Sequence, residues 1–205
     1  MTRFSRAELA VHAAIGVLVL ILMATAAALY LGPVAVLIGH RRIVATLHAW
    51  SGLALPIPVL VGLVSVAFRL DLARLNRFLP GDARWLRSRE VRRDHAGIGK
   101  FNPGQKLNTA LSAGALVVLL GTGILMYWPS LVGLSYRTGA TFVHDVVGLA
   151  LGLLVVGHVY KAVQDSEALR GARTGRVSVA WARRHHPVWA DELCPTEQDD
   201  DADRT

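Results

Sequence analysis

Four apolar blocks constrain the fold of this chain more than any other feature of its sequence. They run approximately over residues 9–31, 45–68, 107–128 and 143–163. Each block is long enough to cross a bilayer as an α-helix, which takes about 20 residues for roughly 30 Å of hydrocarbon. Since 53% of the residues are hydrophobic, the chain is also too apolar for an ordinary soluble domain. The sequence therefore predicts an all-α membrane protein, a bundle of four transmembrane helices.

The bundle is expected to occupy residues 1–165 as one domain, followed by a C-terminal tail over 166–205. The tail ends in EQDDDADRT, an acidic stretch that is predicted to be disordered. The first block follows two arginines and contains small residues, as a signal peptide would. Its apolar stretch exceeds the length of about 7–15 residues that is usual for signal peptides. We therefore interpret this block as the first transmembrane helix.

Lysine and arginine are distributed unequally between the two sides of such a bundle. The N-terminus, the loop between the second and third blocks, and the tail share one side, which carries 19 of the 22 basic residues. Positive charge accumulates on the cytoplasmic side of membrane proteins, so both termini are predicted to be cytoplasmic. Tyr30, Trp50, Tyr127 and Trp128 fall at the opposite interface, where an aromatic belt is expected.

The net charge of +7 is explained by the position of the basic residues beside the membrane spans. Such residues bind anionic lipid headgroups, so the charge does not indicate a nucleic-acid partner. The single cysteine, Cys194, excludes an internal disulfide and a cysteine-ligated metal cluster.

Four of the eight histidines, His12, His48, His144 and His158, lie in or at the edge of the apolar blocks. An ionisable side chain in a membrane span is costly and marks a function by default. The predicted topology pairs these histidines by depth, His12 with His158 near the cytoplasm and His48 with His144 near the outer face. The two histidines of the last block are fourteen positions apart, which places them on one helix face, about 21 Å apart along the helix.

This pairing is typical of two haems stacked across a bilayer, each held by two neutral imidazoles. Gly16, Gly52 and Gly148 follow their histidines by four residues, and Ala162 follows His158 in the same way. Residues at this spacing share a helix face, so small side chains leave room for a flat macrocycle. Small-residue helix packing is the alternative explanation of these glycines. For the histidines, the alternatives are hydrogen bonding, proton relay or metal transport, although Asp145 is the only acid within a block.

Two further stretches carry a family resemblance. They are GKFNPGQK, residues 99–106, and GRVSVAWARRHHPVWADEL, residues 175–193. Together with the four histidines in order, they resemble the cytochrome b (gamma) subunit of membrane-bound respiratory formate dehydrogenase. The resemblance covers nearly the whole chain and is weakest in the first two loops.

The resemblance implies a four-helix diheme cytochrome b of the bacterial inner membrane, an electron-transfer subunit without catalytic residues for formate. Electrons would come from a periplasmic iron–sulfur beta subunit, itself joined to a molybdenum-containing catalytic alpha subunit. The chain would pass these electrons to a quinone, either menaquinone or ubiquinone, on the cytoplasmic side. Carried over residue by residue, His48 and His144 match the ligands of the periplasmic haem b, and His12 and His158 those of the cytoplasmic one. Asn102, Gly104 and Gln105 match the quinone site.

The residues of the NPGQ stretch support a ligand site in a second way. Asn102 and Gln105 offer amide donors to a quinone carbonyl, and Gly104 permits close approach of the backbone. A turn followed by a polar helix start explains the same residues without a ligand. His185 and His186 match the tail of the family and are interpreted as cytoplasmic surface or partner contacts. His40 and His95 are interpreted as ordinary loop residues.

Related diheme cytochromes serve hydrogenases and thiosulfate or other reductases, so the donor complex stays open between these and formate dehydrogenase. A haem-free membrane scaffold or transporter is the third hypothesis.

Overall fold

The computed structural model describes residues 1–93, 95 and 97–195, and the acidic stretch at 197–205 lies outside them. Within these residues the chain folds into helices joined by short connections. They are α1 (Arg6–Tyr30), α2 (Gly32–Ile38), α3 (Arg41–Ala54), α4 (Pro56–Gly62), α5 (Val66–Asn76), α6 (Pro80–Arg87), α7 (Arg89–Arg93), α8 (Pro103–Tyr127), α9 (Leu134–Val163), α10 (Ser166–Thr174), α11 (Val179–His185) and α12 (Pro187–Leu193).

Four helical segments are long and apolar enough to cross a membrane: α1, α3 with α4, α8 and α9. Few side chains of these four segments are buried within the chain. In a bilayer their outer surface contacts lipid, and each helix satisfies its own backbone hydrogen bonds. The prediction of a four-helix membrane bundle is confirmed.

The second span is shorter than its apolar block and is broken. Helix α3 ends at Ala54 and α4 starts at Pro56. Proline has no N–H to donate to the preceding turn, which explains the break. Helix α4 then ends at Gly62, so the prediction of one continuous block through residue 68 was wrong at its end.

Gly62 brings the end of this span into direct contact with α1. A Cβ at this position would lie 2.8 Å from Val11 Cγ2 and 3.1 Å from the Phe68 ring. Any side chain there would push α1 and α4 apart. The glycine therefore fixes the distance between α4 and α1 at Val11, which is the residue before His12.

The two ends of the bundle differ in composition, and we name them accordingly. The basic end is where α1 begins and α9 finishes, and it also carries α5–α7 and α10–α12. The aromatic end is where α1 finishes at Tyr30 and α9 begins. Tyr30 and Trp50, both exposed, lie towards the aromatic end.

Residues 166–195 form three helices that close over the basic end together with the first residues of the chain. We call this unit, Met1–Phe4 with α10–α12, the terminal cap. Arg3 N–H donates to the Gly175 carbonyl at 2.7 Å, and Thr2 pairs with Arg176 in an antiparallel bridge. Gly175 has φ +73°, and a Cβ there would lie 2.4 Å from the Phe4 carbonyl oxygen. Only glycine fits this close backbone approach.

The cap contains a small apolar core, unlike the outward-facing bundle. Val177, Ala182, Trp189 and Ala190 are all buried there and pack together. The cap therefore packs as a soluble protein does, on the end of a bundle that packs as a membrane protein does.

Candidate functional site

The bundle brings its four intramembrane histidines together as two facing pairs. His12 on α1 faces His158 on α9, with ring centroids 6.2 Å apart. His48 on α3 faces His144 on α9, also with centroids 6.2 Å apart. We call them the basic-end pair and the aromatic-end pair. Since α9 is one unbroken helix, its fourteen-residue spacing separates the two levels by about 21 Å.

The distance within each pair fits a single metal ion shared by two imidazoles. A metal–imidazole nitrogen bond is about 2 Å long, so two rings on opposite sides of one ion have centres about 6 Å apart. Among the described residues, no group of three or more His, Cys, Asp or Glu is placed to hold a metal ion. Each level thus offers two neighbouring imidazoles, the number of protein ligands that a six-coordinate haem iron takes and too few for structural zinc.

The glycines that follow the histidines are not required by packing within the chain. A Cβ at Gly16 would meet no atom within 4 Å. A Cβ at Gly52 or Gly148 would only touch a leucine methyl at 3.8 Å, an ordinary contact. Space is therefore left beside three of the four histidines, as a flat macrocycle requires. This favours the haem explanation of the spacing over close helix packing.

Two threonines hold the rings of the aromatic-end pair. Thr25 Oγ1 lies 2.8 Å from His48 Nδ1, and Thr122 Oγ1 lies 2.9 Å from His144 Nδ1. Each hydroxyl also lies 2.7 Å from the backbone carbonyl four residues earlier, to which it donates its only proton. Each threonine oxygen must therefore accept from the histidine Nδ1–H. This fixes the tautomer and leaves both Nε2 lone pairs free to bind a metal.

Gly123 adds a close contact beside the same pair. A Cβ at Gly123 would lie 3.4 Å from His144 Cε1, so a larger residue would press against the ring. The Thr122-Gly123 pair on α8 therefore supplies both a hydrogen bond and a flat surface for His144. Helix α8 carries no histidine, yet it positions one.

The basic-end pair lies in a different environment. His12 and His158 are exposed, whereas His48 and His144 are half-buried. No hydrogen bond to the ring of His12 or His158 is formed within the described part of the chain. The two levels thus share one ring separation but differ in how the rings are held.

Asn102 and Gln105, the candidate quinone residues, form the N-terminal cap of α8. The Asn102 side-chain oxygen accepts from Gln105 N–H at 2.9 Å, and the Gln105 side-chain oxygen accepts from Asn102 N–H at 3.0 Å. This reciprocal capping box uses the oxygen of each amide. The two NH₂ groups are not used by the cap, so they remain as donors for a ligand oxygen.

Trp85 on α6 lies against the same turn. A Cβ at Gly104 would lie 3.4 Å from its ring, and the buried indole N–H has no hydrogen-bond partner among the described residues. A buried ion pair, Lys106 to Asp82 at 2.8 Å, holds α6 against the start of α8. The six-membered ring of Trp85 therefore packs against the turn that carries the two amides.

His186 corrects one sequence-based interpretation, because it is buried inside the terminal cap and is no surface residue. It is 2% exposed, and its Nδ1–H donates to the Gly99 carbonyl at 2.7 Å. Its Nε2 accepts from the Arg3 guanidinium at 3.1 Å. Burial first, and the charge of Arg3 second, lower the pKa of His186 to about 3. The neutral ring thereby connects both ends of the chain to the segment that precedes Asn102.

The remaining histidines have simpler positions. His40 is exposed between α2 and α3, in agreement with its interpretation as a loop residue. His95 is less free than expected, because its ring lies 5.1 Å from the ring of His185. His185 also stacks near Trp181, at 5.3 Å, on the outer side of the terminal cap.

Sequence reasoning missed Thr25, Thr122 and Trp85. A usable signal existed for the threonines, since each is a polar residue inside an apolar block at about the depth of His48 and His144. Trp85 gave no such signal, because it lies in a polar loop 19 residues before Gly104.

Comparison with known proteins gives a family match over most of the chain. Residues 3–171 match the model described as prokaryotic cytochrome b561. The chain is 30% identical over 101 residues to the cytochrome b556 subunit of the nitrate-inducible formate dehydrogenase of Escherichia coli, an alignment that covers 48% of this chain and 46% of that protein. It is 32% identical over 109 residues to the formate dehydrogenase cytochrome b556 subunit of Haemophilus influenzae, covering 52% and 46%. The chain thus spans about half the length of the curated relatives it matches.

Proposed function

Because the chain belongs to the prokaryotic cytochrome b561 family, we propose that it is the diheme cytochrome b subunit of a respiratory formate dehydrogenase. In this function the chain carries electrons across the membrane from an iron–sulfur subunit to a quinone. The observation that carries the proposal is the pair of facing imidazoles at each of two levels, with equal ring separations of 6.2 Å. The four apolar spans make the chain a multi-pass protein of the bacterial inner membrane.

His12 and His158 would hold one haem b, and His48 and His144 the other. Haem b supplies reversible one-electron transfer when it is bound. The chain fixes the distance between the two levels through α9 and leaves space beside three ligands through their glycines. Between the levels, α1, α8 and α9 carry mainly apolar side chains, which would keep water away from bound haems.

The quinone would bind at the basic end, which we place on the cytoplasmic side because it carries most of the positive charge. The amide hydrogens of Asn102 and Gln105 are available there to a quinone carbonyl, and the Trp85 ring packs against the same turn. Quinone reduction at this end would take up cytoplasmic protons while electrons enter from the opposite end. Turnover would therefore build a proton gradient.

The similar proteins are named as subunits of formate dehydrogenase. Their names support a formate dehydrogenase complex for this chain. We propose that its partners there are an iron–sulfur beta subunit and a molybdenum-containing catalytic alpha subunit. The iron–sulfur subunit would dock at the aromatic end, next to the His48 and His144 level. Within such a complex this chain handles electrons and quinone, and formate chemistry belongs to the alpha subunit.

The test replaces the amide donors while it preserves the helix cap. Asn102→Asp and Gln105→Glu keep the capping oxygens but remove both NH₂ groups, so the fold of α8 should persist. We expect both haems to be reduced by the physiological donor and to be reoxidised slowly by added quinone. The same change at exposed Asn76, at the end of α5, serves as the matched control and should reoxidise at the normal rate.

Normal reoxidation by quinone in the Asn102→Asp, Gln105→Glu variant would place the quinone site elsewhere. If the donor no longer reduces haems that remain bound, the basic end is the entry side and the direction is reversed. Purified protein without a reduced-minus-oxidised haem spectrum would refute the proposal altogether.

A further inference from the structure

A buried cluster of charged groups lies at the basic end, just before the quinone residues. It consists of Glu8 on α1, Asp71 on α5 and Lys100 ahead of α8, and we call it the carboxyl cluster. Lys100 Nζ binds the Asp71 carboxylate and lies 3.8 Å from Glu8 Oε1. Each of these side chains is 10% exposed or less. Burial of three ionisable groups is costly, so their arrangement calls for a physical reason.

The two carboxyl groups lie beside one ammonium group. Lys100 Nζ binds the Asp71 carboxylate and also lies 3.8 Å from Glu8 Oε1. Two carboxylates at such a distance resist ionising together, and one lysine neutralises only one of them. The protonated state of the cluster therefore carries one proton on its two carboxyl groups.

Asp71 is the group that gains and loses this proton near neutral pH. Burial first, and the hydrogen bond with Glu8 second, raise its pKa from 3.8 to about 6. Two positive charges lower the pKa of Asp71 instead. They are Lys100, just before α8, and Arg74 on α5, whose Nη1 lies 3.0 Å from Asp71 Oδ1. Arg3 of the terminal cap adds a further positive charge nearby.

The cluster also lies in the right place for proton transfer to a quinone. Glu8 precedes His12 by four residues on the same face of α1, so it lies one turn, about 6 Å, closer to the basic surface. Lys100 lies two residues before Asn102 in the chain. The cluster thus lies between the surface of the basic end and the His12 level, next to the start of α8 that carries the quinone amides.

We propose that the carboxyl cluster is the proton donor for quinone reduction, with Asp71 giving a proton to a quinone carbonyl oxygen directly or through one water. This inference rests on the proposed function. Conversion of a quinone to a quinol consumes two electrons and two protons, and each carbonyl oxygen gains an O–H bond. The electrons come from the reduced cytochrome. Each proton leaves Asp71, which is refilled from water at the basic end while Lys100 neutralises the carboxylate.

The test compares a proton-requiring acceptor with one that takes electrons only. The full haem-loaded chain in membranes is reduced with dithionite and mixed with a short-chain quinone or with ferricyanide, and haem reoxidation is followed. We expect Asp71→Asn to slow reoxidation by quinone roughly tenfold or more at pH 6. Its reoxidation by ferricyanide should be unchanged. Glu8→Gln should slow the quinone reaction less, because Asp71 keeps its carboxyl group.

The pH profile separates proton donation from a structural role. The wild-type quinone rate should fall as the pH rises above about 6, because Asp71 then loses its proton. Asp71→Asn should lack this fall. Asp82→Asn is the matched control, because Asp82, like Asp71, is a buried carboxylate paired with a lysine. Any loss of the quinone rate in this variant should be the same at every pH.

An Asp71→Asn rate and profile equal to wild type would overturn the inference, as would equal slowing with quinone and ferricyanide. These results leave the proposed function intact. A wild-type protein whose haems react with ferricyanide and not with quinone would instead refute the quinone site itself, and the inference with it.

Discussion

The two histidine pairs have the same ring separation but are held by different means. In the aromatic-end pair, the hydroxyl oxygens of Thr25 and Thr122 accept hydrogen bonds from the Nδ1–H groups of His48 and His144. These bonds fix both tautomers. In the basic-end pair, the placement of α1 alone positions His12, through the Ser5–Glu8 capping box and the contact of Val11 with Gly62. The same ligand geometry is thus built once from side-chain hydrogen bonds and once from helix packing.

This difference has a consequence for electron flow. An imidazole that donates its second N–H to a neighbouring oxygen is a stronger base and a stronger ligand. Such ligands stabilise the oxidised state of a bound iron, so the aromatic-end level should have the lower reduction potential. A lower potential at the entry level drives electrons towards the basic end, in the direction that we propose.

The largest expected effect comes from removing one ligand at each level. His158→Ala should abolish the basic-end haem and spare the other, because the two levels lie about 21 Å apart. His48→Ala should do the reverse. Haem-to-protein ratios should fall from two towards one in both variants, measured by pyridine haemochrome, and the two difference spectra should be complementary. Loss of both haems in either variant would show that the levels are not independent.

A smaller effect is expected from the threonines, and it should be confined to one level. Thr25→Val and Thr122→Val keep the side-chain shape but remove the acceptor for the histidine Nδ1–H. Loss of such an outer-shell partner weakens metal binding about 10–100-fold. We expect weaker haem retention and a raised potential at the aromatic-end level only, measured by redox titration.

Thr141→Val is the control for this pair of variants. Thr141 makes the same bond to the carbonyl four residues earlier, at 3.0 Å, and is exposed on the surface of α9. A shift in Thr141→Val as large as in Thr122→Val would mean that the backbone bond, and not the histidine contact, is responsible.

The smallest effect concerns pH and the basic end. His186 is neutral in the fold with a pKa of about 3, against 6.5 for an ordinary histidine. Because the unfolded cap binds this proton more readily, the contribution of His186 to stability is complete above pH 6.5 and declines as the pH falls towards 3. Protonation would place an N–H against the Arg3 guanidinium. We expect the terminal cap to become protease-sensitive in that range while the aromatic-end haem spectrum stays unchanged.

His186→Gln offers a direct comparison, since a glutamine amide donates and accepts as the neutral ring does but does not titrate. The variant should keep the cap closed to lower pH. A cap that opens at the same pH in both proteins would assign the transition to other groups.

The sequence predicted the spans well, because lipid contact demands long apolar runs whatever the neighbouring helices do. It overlooked the break before Pro56, although proline within an apolar run is a recognisable signal. The depth pairing of the histidines also followed from topology alone. These features depend on position along each helix, which a sequence displays directly.

Other parts of the site depend on helix rotation and on distant contacts, which the sequence does not display. The bonds from Thr25 and Thr122 require two helices to face each other at a particular angle. The burial of His186 depends on Arg3, more than 180 residues earlier in the chain. The preceding residues Arg183 and Arg184 are charged and exposed, so the local pattern indicated a surface residue.

The bond between Arg3 and His186 also sets an order of assembly. Arg3 is made before all four spans, whereas its aromatic and histidine partners in the cap are made after them. At roughly 5–20 residues per second, translation separates them by about ten seconds or more. The basic end therefore stays open while all four spans enter the membrane, and its loops become ordered only after synthesis of the cap. Haem has access to the His12 level throughout that interval.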